Sequence, residues 1–280
     1  MPPSQYSVSD DSSKSVEPRS RSPLKFFLLV FALSVPIWLV GGMPLPGPSD
    51  FPLTLNVLTQ PFVPLVAALA LVYREEGLGG VRMLLKRALD YGRTRNWAWY
   101  APIVFLVPLI YLLTYGLTAL TGLPPSGARI PFLAMPILIV AFFVLGTGEE
   151  VGWTGYATDP MQERWSALTT GVVLGVVWAV WHFVPLIQMG RSPTWIACWI
   201  LGTVALRVLI VWLYNNAGKS VFATIVFHAT SNLSLAVFPM DYDQAIVQFT
   251  LGALTALAAV VVTFLWRSRS LARYRYARSH

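Results

Sequence analysis

Runs of about 20 mostly apolar residues recur along the chain, at 26–43, 52–73, 98–120, 131–157, 168–187, 195–214, 220–238 and 244–266. As helices, runs of this length cross a hydrocarbon layer about 30 Å thick. Backbone amides in lipid must be satisfied within their own segment, and these runs lack the two-residue alternation of a barrel strand. The expected fold class is therefore all-α, a polytopic transmembrane helical bundle of about eight spans, located in the cell membrane as a multi-pass protein. Composition agrees, because 55% hydrophobic and only 12% charged residues is more apolar side chain than one soluble core can hide. The 11 Trp suit rings anchored at the two interfaces of the lipid bilayer.

An even number of spans puts both termini on one face, and the basic residues test that arrangement. Of the 20 Lys and Arg, 17 fall on the face that holds the termini: Lys14, Arg19, Arg21 and Lys25, then Arg74, Arg82, Lys86, Arg87, Arg93 and Arg95, then Arg164, Lys219 and the five from Arg267 to Arg278. Only Arg129 and Arg191 fall on the other face, and Arg207 sits inside the sixth span. This bias predicts cytoplasmic termini. It also accounts for the net charge of +7 without a nucleic-acid partner, since no aromatic-interleaved basic patch or nucleic-acid motif accompanies it.

The domain reading follows. Residues 1–23, Ser-rich and polar, form a disordered cytoplasmic tail. Residues 24–266 form the membrane domain, with a motif-bearing core at 131–238, and 267–280 form a basic cytoplasmic tail. The first apolar run lacks a small-residue cleavage site and is expected to be retained as a helix. In the second basic loop, GVRMLLKRALDYG has Val81, Leu84, Leu85, Ala88 and Leu89 apolar between basic residues, which predicts a connector helix lying among the headgroups. The single cysteine, Cys198, allows no intramolecular disulfide and no cysteine metal cluster.

Of 13 acidic residues, only Glu149 and Glu150 continue an apolar run, FLAMPILIVAFFVLGTGEEVGWTGY. Adjacent carboxylates near hydrocarbon cost several kcal/mol unless paired, hydrated or protonated, which makes them functional candidates. Two of the three histidines also lie in spans. His182 follows Trp178 by four residues in VVWAVWHFVPL, and Asn232 follows His228 by four in SVFATIVFHATSNL, so each pair shares a helix face. With helix ends near Thr158, Gly171 and Lys219, Glu149, His182 and His228 lie at a common depth of about 14 to 17 Å. A water-filled cavity opening to the cytoplasm would explain how such residues are tolerated.

EEVGWTGY, WAVWH and HATSN, in that order, resemble the EExxxR, FxxxH and HxxxN or HxxxD motifs of the CPBP family of intramembrane glutamic endopeptidases, also called the CAAX protease and bacteriocin-processing family. The resemblance covers the last four or five spans. It implies that Glu149 activates water with help from His182, that His228 and Asn232 stabilise the oxyanion, and that Glu150 orients and tunes the site. Peptide hydrolysis needs such a base and such donors on general grounds. The substrate implied is a peptide or membrane protein, and no cofactor is implied.

Two positions depart from the family pattern. Trp178 replaces Phe and keeps an aromatic wall, and Thr154 replaces the Arg that would pair with Glu150 from one turn away. Arg207, isolated in apolar sequence, is the expected substitute from another helix. On sequence alone three other readings stay open: a zinc hydrolase built on His182, His228 and a glutamate, a non-catalytic scaffold or immunity protein, and a transporter or proton relay. HExxH is absent, and the motif-bearing spans show no internal repeat.

Overall fold

The structure is a computed structural model that describes residues 21–43, 54–123, 130 and 132–272. Of the tail expected at 1–23, residues 1–20 lie outside the described residues, as do Arg129 and the last basic residues from 273. The longer helices are α1 (Pro23–Val40), α2 (Val63–Lys86), α3 (Tyr100–Leu120), α4 (Met135–Gly152), α5 (Ala167–Trp181), α6 (Pro193–Asn216), α7 (Val221–Val237) and α8 (Ala245–Trp266). There is no β-strand among the described residues. Six helical stretches are long and apolar enough to cross a membrane: Pro23–Val40, Leu55–Leu89, Trp97–Leu120, Met135–Gln162, Pro193–Asn216 and Ala245–Trp266. The shorter apolar helices are α5 and α7, and these are the two that carry or adjoin the histidines. The chain is a multi-pass membrane helical bundle, with outward residues such as Leu39, Leu120 and Phe264 at 81%, 85% and 85% exposure facing the lipid.

Local chemistry sets the helix boundaries. Serines cap α1, α5, α6 and α7: the hydroxyls of Ser22, Ser166, Ser192 and Ser220 accept the amides of Lys25, Thr169, Trp195 and Ala223. Each satisfies one of the amides that a helix start leaves orphaned. The expected fifth span is broken at His182. Pro185 has no amide to give to the carbonyl of Trp181, which accepts from Gln60 Nε2 at 3.3 Å instead. A short helix, Phe183–Gln188, follows.

The connector helix of the second basic loop is the last part of α2, turned away at Gly77, whose φ of 68° and ψ of −163° only glycine adopts readily. Leu84 and Ala88 pack into the bundle, while Leu85 and Leu89 are exposed.

Two apolar cores fill the bundle. One joins α1, α2 and α5 around Phe26, Trp153 and Trp181, and the other joins α3, α6, α7 and α8 around Ile103, Leu209 and Phe227. Helix α4 passes between α2 and α7. It can lie this close because Gly148 and Gly152 face the backbone of Pro61 and Pro64, where an added Cβ would fall 2.6 and 2.5 Å from a carbonyl oxygen. Glu149 and Glu150 are thereby held at the seam of the two cores.

All the junctions near the basic loops meet at one end of the bundle, called here the basic end. Arg87 donates to the hydroxyl of Tyr214 at 2.6 Å and to the carbonyl of Gly155 at 2.9 Å. Tyr214 donates to Asp159 at 2.8 Å, and Lys219 pairs with Asp159 at 2.9 Å. Asp90 accepts from Ser220 and from the amide of Phe222 at the start of α7. These bonds tie α2, the segment after α4, α6 and α7 together over the end of the bundle.

Candidate active site

The five residues singled out by sequence meet in one place. Glu149, His182, His228 and Asn232 line a single cavity of about 220 Å³, and Glu150 lies directly behind its wall with no exposure. Glu150 is bonded on both carboxylate oxygens. Its Oε1 lies 2.9 Å from His228 Nδ1, and its Oε2 accepts from Arg207 Nη1 at 2.9 Å and from Thr154 Oγ1 at 2.5 Å. The expected partner from the sixth span is present, with Arg207 on α6 at 1% exposure against Glu150. Thr154, standing at the family's Arg position, adds a hydroxyl donor that sequence reasoning had read only as a loss.

A π-helical turn, Trp153–Thr158, widens the helix immediately after the glutamates. Thr158 Oγ1 donates to the Trp153 carbonyl five residues back, at 3.0 Å, and so supports the widened turn. Such turns concentrate at functional sites because they re-aim side chains that a regular helix would stack.

Glu149 faces the cavity. Trp178 Nε1 donates to its Oε2 at 2.7 Å, and His228 Nε2 lies 4.0 Å from its Oε1. That gap is too long for a direct hydrogen bond and short enough for one water molecule to touch both groups. His182 turns its Nδ1 to the Trp178 carbonyl at 2.8 Å and packs among the rings of Trp178, Trp181 and Trp199. Asn232, one turn after His228, lines the same cavity.

Trp178 is the residue sequence reasoning undervalued. It contacts both imidazoles, lies 4.4 Å beneath the Arg207 guanidinium, and is the hydrogen-bond donor to Glu149. Its indole N–H is the one feature by which it differs functionally from the family's Phe. A Trp178→Phe variant is expected to lose about 1.5 to 3 kcal/mol of stability through loss of a single hydrogen bond to a charged group. Thermal unfolding in a fixed detergent checks this, and an unchanged curve would show that Glu149 is held by other contacts.

Among the described residues, no group of three His, Cys, Asp or Glu is placed to hold a metal ion. His228 spends Nδ1 on Glu150 and His182 spends Nδ1 on a carbonyl, which leaves one nitrogen on each ring for chemistry in the cavity.

Residues 131–234 match the model of a family described as Rce1-like, type II CAAX prenyl endopeptidase. This region of the chain is similar to the Rce1-like family. The match encloses Glu149, Glu150, Thr154, Trp178, His182, Arg207, His228 and Asn232. Similarity extends beyond it: a protein named CAAX prenyl protease 2, from Methanococcus maripaludis, is 29% identical over 182 residues, which is 58% of this chain and 65% of the relative. The chain thus spans just under two thirds of that relative's length. The Rce1-like region contributes α4, α5, α6 and most of α7, so the cluster is built by the family's own helices, while α3 and α8 supply further cavity wall.

Proposed function

We propose that the chain is an intramembrane endopeptidase in which Glu149 activates water against a peptide bond held in the cavity. The observation that carries this reading is the facing pair, Glu149 Oε1 and His228 Nε2 at 4.0 Å, on the wall of a cavity large enough for a peptide segment. In this reading Glu149 takes a proton from water as the oxygen attacks the carbonyl carbon. Negative charge then develops on the carbonyl oxygen, and His228, when it carries both ring protons, donates to it from Nε2 alongside the Asn232 amide. Collapse of the tetrahedral species breaks the C–N bond, and the proton held by Glu149 passes to the departing nitrogen. His182 supports the water from the same wall.

Glu150 has a different part. Paired with Arg207 and Thr154, it fixes the His228 ring by its Nδ1, so that Nε2 points into the cavity. The relative's name, a CAAX prenyl protease, supports a peptidase role for this chain. The basic end is taken as the cytoplasmic face, by the distribution of Lys and Arg. No metal takes part in this scheme, and activity is expected to survive a strong chelator, which separates it from the zinc reading.

Asn232→Ala tests the oxyanion role. Loss of one donor is expected to lower kcat about 10²- to 10³-fold with KM little changed. Cleavage of membrane-proximal peptides by the purified variant measures it. A variant as active as the wild type would remove Asn232 from the mechanism.

A further inference from the structure

The wall of the cavity carries more polar atoms than the proposed hydrolysis uses, and several of them are spent within the protein. Thr255 donates its hydroxyl to the carbonyl of Leu251 at 2.7 Å, and the hydroxyl of Tyr111 is hydrogen-bonded to Ser231. Gln248 and Thr203 differ. Gln248, on α8, is 4% exposed, and its Nε2 donates to the Tyr242 carbonyl at 3.2 Å. A carbonyl can only accept, so this bond fixes the amide's orientation and leaves Oε1 as an acceptor with no partner among the described residues. Thr203, on α6, is 5% exposed. Other buried threonines, such as Thr114, Thr118, Thr224 and Thr255, return their hydroxyls to a carbonyl three or four residues back. Thr203 does not, and its hydroxyl has no partner among the described residues.

The fold places these two groups together and beside the reacting atoms. Gly202 and Gly252 let α6 and α8 touch backbone to backbone: a Cβ added at Gly252 would fall 2.9 Å from the Cys198 carbonyl oxygen, and one at Gly202 would fall 3.2 Å from Gly252 Cα. Thr203 follows Gly202 directly and Gln248 stands one turn before Gly252, so both flank one crossing. Along α6, Thr203 also lies one turn after Trp199, whose ring packs on His182, and one turn before Arg207, whose guanidinium covers Trp178. Both side chains share the cavity wall with Glu149, His228 and Asn232.

A buried acceptor without a donor costs free energy until whatever fills the cavity supplies one. A peptide main chain has the matching need. Its N–H and C=O groups leave water on entry, and His228 and Asn232 serve only the carbonyl under attack. We propose that Gln248 and Thr203 hold the substrate's main chain beside the bond to be cut, with Gln248 Oε1 accepting from an amide N–H and the Thr203 hydroxyl donating to a carbonyl. The identity of the ligand rests on the peptidase reading. Contacts of this kind read the backbone and not the side chains, so they orient substrates of varied sequence.

The test uses the full chain purified in detergent, with Glu149→Gln as the binding host so that nothing is cleaved. Capped tetrapeptides of mixed sequence are selected on it, and the Kd of a retained peptide is measured by isothermal titration. Each amide of that peptide is then N-methylated in turn. Gln248→Met keeps the side chain's length, and Trp195 Nε1 still donates to the Tyr242 carbonyl at 2.6 Å, so the variant is expected to fold. Binding about 3- to 10-fold weaker in Gln248→Met is the expected result, with one N-methylation that weakens binding to the host and has no further effect in Gln248→Met. Thr203→Val is expected to cause a loss of the same size and serves as the second probe if Gln248→Met misfolds. No retained peptide, affinities unmoved by both substitutions, or N-methyl penalties identical in host and Gln248→Met overturn the proposal.

Cleavage by the otherwise wild-type chain separates this proposal from the peptidase reading. Peptide binding that depends on Gln248, in a chain that cleaves nothing, keeps the anchors and removes the peptidase. Cleavage with a KM unmoved by both substitutions does the reverse.

Discussion

Replacing Arg207 with Leu is expected to destabilise the protein by about 3 to 5 kcal/mol, because it removes the cation that balances a fully buried carboxylate. Glu150 has no exposure and Arg207 has 1%, so water cannot take over the missing contact. Thr154 and His228 would still contact the carboxylate, but neither supplies the permanent charge of the guanidinium. Lysine should restore little. An ammonium cannot lie flat on Trp178 as the guanidinium does at 4.4 Å, nor match its fork geometry. The double variant Arg207→Leu with Glu150→Gln should recover much of the loss, since it removes both charges together. Thermal or denaturant unfolding in a fixed detergent measures the four-member cycle. A single Arg207→Leu variant that unfolds like wild type would show that Glu150 is balanced by something other than Arg207.

Glu149→Gln is expected to reduce cleavage by about 10³- to 10⁴-fold while the folded protein accumulates normally. Gln is nearly isosteric and can still accept from Trp178 Nε1, so the hydrogen bond at 2.7 Å and the packing around it are kept. What is lost is the base. The pattern differs from that of Arg207→Leu, which should lower stability first and activity as a consequence. Side-by-side unfolding curves and rates for the two variants distinguish a reacting group from a structural one.

Much of this was legible in the sequence because hydrocarbon makes polar residues conspicuous. Glu149 and Glu150 stood out as acids inside an apolar run, His182, His228 and Asn232 by their spacing, and Arg207 by its isolation. The structure brings all six to one cluster. The apolar runs likewise gave the bundle, though two of them are shorter helices than a full crossing needs.

Other features had no strong local signal. Trp178 reads as packing in any apolar helix, and only the fold turns its N–H toward Glu149. Thr154 looked like the loss of a charge, since only the seating of Arg207 from another helix shows that a hydroxyl donor suffices there. The break at His182 did have a local cause, Pro185 three residues on, which the length of the apolar run concealed. The ties at the basic end join residues such as Arg87 and Tyr214, 127 positions apart, and periodicity carries no information at that range.

The central claim is that this buried cluster cuts peptides, and it is tested most directly by comparing peptide termini in the membrane fractions of cells that express the wild-type chain or Glu149→Gln at equal levels. The account predicts new termini in the wild-type sample alone, generated within a membrane-proximal segment. Identical sets of termini from the two samples, with both proteins folded and abundant, would contradict it.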